Sequence, residues 1–131
     1  MRGLAVFAAR SMMGAIFVRS GWDTLREPGE RRTQQAAAIG LPNAEAMVRF
    51  NGGAMMLGGA AMALGVFPRA AATGLVLALG PTTYAGHRFW EEDDAATRAQ
   101  QRTHFLKNLA IVGGLIAYAA LAGDKTPRAT S

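Results

Sequence analysis

Side chains able to exchange a proton or grip a polar ligand are concentrated in one stretch, residues 81–108, PTTYAGHRFWEEDDAATRAQQRTHFLKN. It holds both histidines, His87 and His104, together with Tyr84, Trp90, Lys107 and Asn108. Groups of these kinds can donate and accept hydrogen bonds or exchange protons with a polar ligand. Two histidines can also ligate a metal. No His-x-x-His spacing occurs, however, and no carboxylate lies in the flanking apolar segments, so no metal site is expected. The chain has no cysteine, which excludes thiol, disulfide and cysteine–metal chemistry on it. No residue is assigned a catalytic role, and whether the chain is itself an enzyme stays open.

The elements that must position these residues are apolar. Four runs, at about 3–22, 46–67, 70–90 and 103–122, each approach the ~20 residues that cross a bilayer. All nine acidic residues fall in the connectors or in the polar tail, residues 123–131. A soluble bundle would carry a polar stripe along each helix; the second run, FNGGAMMLGGAAMALGVF, has none. The expected fold is all-α, a four-transmembrane-helix bundle with short amphipathic connector helices. It forms a single multi-pass membrane domain over residues 1–131. The first run has a minimal charged head, is interrupted by Arg10 and is followed by no clear A-x-A site, so it reads as a retained helix rather than a cleaved signal. The net charge of +5 is spread between apolar runs, which points to lipid headgroups and away from nucleic acid.

Local signals refine the connectors. Pro28-Gly29 and Gly40-Leu41-Pro42 bracket a short surface helix at the headgroup level. The acidic run ending at Asp94 marks a helix start that continues through Gln100 and His104 into the fourth span. Small-xxx-small pairs (Ala54/Gly58, Gly59/Ala63, Ala61/Gly65, Gly74/Ala78 and Gly113/Ala117) predict close helix packing and support self-association.

Topology then gathers the chemistry. Four spans put both termini and the tight Pro68-Arg69 joint on one side, side A, and the two longer connectors on the other, side B. Side B receives Arg19 and Trp22, Arg49 and Asn51, Tyr84, His87 and Trp90, and His104, Lys107 and Asn108. Each also has a structural reading. Trp22 and Trp90 fit an interfacial aromatic belt, Arg19, Arg49 and Lys107 can snorkel to headgroups, and Asn51 and Asn108 can tie helices together. Arg10 stands apart, roughly 10 Å below side A at 1.5 Å per residue, with no acid in any span to pair with it. Its partner would be backbone carbonyls, a lipid phosphate, a ligand or another subunit. The candidate ligand- or partner-binding set is Arg10, Arg19, Asn51, Tyr84, His87, Trp90, His104, Lys107 and Asn108.

Arg10, Gly14, Phe17 and Gly21 resemble the R-x-x-x-G-x-x-F-x-x-x-G pattern that opens the DoxX family of small membrane proteins. The likeness continues through Asn51-Gly52-Gly53, Gly58-Gly59, Pro68-Arg69, Pro81-Thr82-Thr83, Ala85-Gly86-His87 and Phe89-Trp90. It ends with His104 to Leu109 and Gly113-Gly114-Leu115, and is nearest to the actinobacterial branch. Many members carry Glu near Asn51, so a role for that acid does not extend to this chain. The resemblance implies a four-span, multi-pass protein of the cell (inner or plasma) membrane associated with redox systems. One relative forms part of a thiosulfate:quinone oxidoreductase, and others are linked to membrane complexes against oxidative and thiol stress. Three roles stay open on this reading. The first is a membrane subunit, without its own catalytic centre, that anchors or organises redox enzymes. The second is a quinone-linked oxidoreductase subunit with a quinone or lipid pocket at the side B end. The third is a small-molecule or lipid transporter, for which four spans would need oligomerisation.

Overall fold

Glycine and proline stand at the joints between helices, at Pro28-Gly29, Gly40 to Pro42 and Gly65 to Pro68, and also within the helices themselves. A computed structural model describes residues 1–122; the polar tail expected from residue 123 lies outside the described residues. It contains five α-helices, α1 (Arg2–Arg26), α2 (Gly29–Ala38), α3 (Ala44–Leu64), α4 (Pro68–Gly86) and α5 (Ala95–Leu121), and one 3-10 turn, Phe89–Glu91. No strand occurs among the described residues. The expected short helix is α2, and α5 starts as the acidic run predicts: Asp94 caps it by accepting the Thr97 N–H at 2.8 Å. The third apolar run departs from expectation. It was expected to remain helical to about 90, but α4 ends at Gly86 and the chain turns through Phe89–Glu91 instead.

The joint between α3 and α4 is built by Gly65. Its N–H bonds to the Met62 carbonyl and the Val66 N–H reaches back to Ala61, with Gly65 in the left-handed region at φ 71°. This arrangement satisfies the last carbonyls of α3 and requires a residue that tolerates positive φ. Pro68, which needs no N–H partner in the first helical turn, then opens α4.

The long helices lie side by side in the order α1, α3, α4, α5, each antiparallel to its neighbour. Gly14 of α1 meets Gly59 of α3, and Gly21 meets Gly52. A Cβ on Gly14 or Gly21 would come within 2.5 Å of a backbone carbonyl of α3. Both helices thus present glycines seven residues apart, two turns, along a single seam. Gly58 packs on Leu75 between α3 and α4, and Thr83 meets Asn108 between α4 and α5. Phe17, Met62, Ala72, Leu75 and Leu115 fill the interior. Of the small-residue pairs, Gly59/Ala63 lies on the seam, with Ala63 beside Gly14. Gly74 and Gly113 have no neighbour within 4 Å of an added Cβ, so neither glycine serves a close helix approach within the chain, although Ala78 is buried in the core.

Large apolar side chains face outward along the whole bundle, among them Leu4, Leu57, Leu77, Leu109 and Ile116. Among the described residues, two helices, α1 and α5, are long and apolar enough to cross a membrane, with 11% of each apolar window buried. That low burial sets them apart from the core helices of a soluble protein. The α3 helix dilutes its apolar run with Asn51 and four glycines, and α4 with Gly, Pro and Thr.

Candidate functional site

The outer helices do not close against each other along their length. α1 and α5 approach at Met13 and Gly114, where an added Cβ would sit 3.6 Å from the methionine methyl. Towards side B they diverge, and α2 lies across the gap on α3 and α4. The result is a cavity of about 720 Å³, within the range of small-molecule sites. Its apolar walls are Ile16 and Phe17 from α1, Met55 from α3, Leu79 from α4 and Ile111 from α5. Its head is polar, bounded by Asn51 and Thr82 on one flank and by His87, Gln101, His104 and Asn108 on the other. Arg31 and Arg32 of α2 and Lys107 of α5 stand at the rim. Ile16, Met47 and Phe50 line the cavity and are also exposed, so it communicates with the outer apolar surface of the bundle.

Three consecutive residues organise the polar head. Pro81 sits inside α4 and has no N–H to continue the helix ladder. Thr82 and Thr83 follow, and each hydroxyl donates to the carbonyl four residues back, Ala78 at 2.9 Å and Leu79 at 2.8 Å. Consecutive helical residues point about 100° apart, so the two hydroxyls face different neighbours. Thr82 accepts from Asn51 Nδ2 of α3 at 2.8 Å, and buried Thr83 accepts from Asn108 Nδ2 of α5 at 3.0 Å. One Pro-Thr-Thr sequence therefore ties α4 to both flanking helices.

His87 lies just beyond the last turn of α4, in the connector. Its Nδ1 is 2.7 Å from Oε1 of buried Gln101, and its ring stacks on His104 at 5.2 Å between centroids. With Gln101 accepting, Nδ1 carries the proton and Nε2 of the neutral ring is free to accept. Burial is the main influence holding the His87 pKa below the usual histidine value. The Gln101 bond opposes it, and the nearby charges of His104, Lys107 and Arg31 add to it.

Of the nine residues singled out from sequence, the structure brings Asn51, His87, His104, Lys107 and Asn108 to this cavity. The other four stand elsewhere. Arg19 pairs with Asp23 on the exposed face of α1 at 3.2 Å. Tyr84 and Trp90 join Phe89 and Phe105 in an aromatic cluster outside the cavity, with Arg88 over the Tyr84 ring at 5.3 Å. Arg10 is at the opposite end of the bundle. Its guanidinium occupies the space a Cβ on Gly65 would need. Since Gly65 ends α3, Arg10 is level with the end of its neighbour, and residues 2–9 of α1 overhang the bundle by about 12 Å. The depth expected from sequence overlooked that overhang. Its Nε is buried with no hydrogen-bond partner.

Arg49 also differs from its sequence reading. Rather than snorkelling, it donates to the Leu25 and Arg26 carbonyls at 2.7 and 3.1 Å, capping α1, while Glu45 holds its other nitrogens at about 3.0 Å. Arg69 likewise donates to the Ala122 carbonyl at the end of α5, at 2.7 Å. Sequence reasoning missed Gln101, Arg31 and the roles of Thr82 and Thr83. The Pro-Thr-Thr triplet was the available signal, since threonine hydroxyls inside an apolar helix bond to the carbonyl four residues back and can accept from a neighbouring helix.

Compared with known proteins, the chain matches the DoxX family model over residues 5–88, well over half its length. The match covers α1 to α4 and stops short of α5, so the likeness read from His104 to Leu115 lies beyond it. Neither the curated proteins nor the solved structures give a match.

Proposed function

The chain belongs to the DoxX family of membrane proteins, and on that premise we propose that it is a four-span subunit whose side B cavity holds a lipid-soluble amphiphile, a quinone or a lipid. The helices α3 and α4, of 21 and 19 residues, reach about 30 Å at 1.5 Å per residue, the thickness of a hydrocarbon core. Together with α1 and α5 they make four antiparallel crossings of the cell membrane. Side B lies at the headgroup level, with α2 along it.

One observation carries the ligand reading: a single cavity joins hydrogen-bonding groups at its head to apolar walls that extend to the lipid-facing surface. The head of an amphiphile meets Asn51, His87 and Gln101, and its tail runs past Phe17, Met55 and Ile111 towards the bilayer. The family resemblance supports a redox setting. There the chain contributes the pocket and the membrane anchorage, and partner enzymes supply the electron chemistry. This favours the second of the three roles while retaining the anchoring function of the first.

Purification in mild detergent, followed by mass spectrometry of bound lipid-soluble molecules, tests the reading. Wild-type protein is expected to retain one such molecule in near-stoichiometric amount. Ser20→Phe, which fills the cavity from a lining position on α1, is expected to lose it. Identical lipid content in the two proteins would mean ordinary annular lipid and end the proposal.

A further inference from the structure

Charge around the cavity is one-sided. Arg31, Arg32, Lys107 and the two histidines all line it, and no Asp or Glu is among the described lining residues. Arg32 already donates to the Glu27 carbonyl at 3.2 Å. Arg31 and Lys107 have no hydrogen-bond or ion-pair partner among the described residues. They come from different elements, α2 and α5, and both line the cavity. Glu30, next to Arg31 on α2, accepts from Gln34 at 2.9 Å, while Glu45 pairs with Arg49 at 3.0 Å and Glu91 with Arg88 at 2.8 Å.

Two unpaired cations at the same mouth repel each other, and folding gains nothing from bringing them together. An anion between them removes that repulsion and gives both a partner, and guanidinium matches the oxygens of phosphate or carboxylate in a fork. The apolar walls below require a hydrocarbon tail. We propose that the pocket selects an anionic amphiphile, a hydrocarbon chain ending in a phosphate or carboxylate, with Arg31 and Lys107 holding the head. This rests on the cavity reading above and narrows it: a neutral head of the same size would leave the rim cations unpaired.

The experiment uses the full chain in a neutral maltoside detergent and measures binding of dodecyl phosphate, dodecanol and inorganic phosphate. Dodecyl phosphate is expected to bind saturably, one per chain, at least about tenfold more tightly than dodecanol, a difference of roughly 1.4 kcal/mol. Inorganic phosphate is expected not to compete at equal concentration. Lys107→Gln and Arg31→Gln, both at exposed positions, should each reduce the preference for dodecyl phosphate several-fold. Arg2→Gln, with the same change in net charge at the far end of α1, should not. Equal binding of dodecanol and dodecyl phosphate, both blocked by Ser20→Phe, would overturn charge selection and leave the cavity reading standing. Full competition by inorganic phosphate would identify a free-anion site and overturn the amphiphile. Binding of neither chain, or binding untouched by Ser20→Phe, would overturn the cavity reading itself.

Discussion

Asn108 of α5 donates a 3.0 Å hydrogen bond to Thr83 of α4, and the same hydroxyl donates onward to the Leu79 carbonyl at 2.8 Å. Both residues are buried. The parallel link between Asn51 and Thr82 is less enclosed. In an apolar interior the strand of polar groups is satisfied internally or not at all, because no water competes for it.

Thr83→Val keeps the side-chain shape but leaves the Asn108 donor buried without an acceptor, at a cost of about 1–2 kcal/mol. Thr82→Val should cost less, about 0.6 kcal/mol, the typical value of an interhelical bond in lipid. Thermal unfolding in detergent compares the two. A Thr82→Val protein melting below Thr83→Val would contradict the ranking by burial.

The glycine seam makes a sharper distinction. Gly21→Ala or Gly59→Ala places a methyl against backbone that cannot rotate away, at 2.5 and 2.8 Å, and should destabilise by about 1–3 kcal/mol. Gly74→Ala and Gly113→Ala meet open space and should be neutral or stabilising by up to ~1 kcal/mol, since alanine is the better helix former. Equal melting temperatures for the two groups would show that α1 and α3 are not in direct backbone contact.

Two arginines at helix C-termini should behave in opposite ways. Arg49→Leu removes the donor to the Leu25 and Arg26 carbonyls and should lower stability by about 1 kcal/mol, with Lys a partial replacement. Arg10 has a buried, unbonded Nε, so Arg10→Leu should accumulate and melt like wild type while losing association with another membrane component. Arg10→Lys, which lacks the planar fork, should be partly defective in that association. Quantitative co-purification measures it, and undiminished recovery of partners by Arg10→Leu would reduce Arg10 to a tolerated surface cation.

The apolar runs, the helix starting at Asp94 and the gathering of Asn51, His87, His104, Lys107 and Asn108 at one end were legible in the sequence. They depend only on local hydropathy, capping chemistry and the alternation of chain direction between successive helices. What meets what was not legible. The pairing of Thr82 with Asn51 and of Thr83 with Asn108, the contact of His87 with Gln101, the seating of Gly14 on Gly59 and the capping of α1 by Arg49 all depend on how far each helix is rotated about its axis and slid along its neighbour. A chain rich in Ala and Gly offers several faces of nearly equal smoothness, as the unused pair at Gly113 shows. Only packing of all the helices at once selects among them, and the divergence of α1 from α5 that opens the cavity follows from that selection.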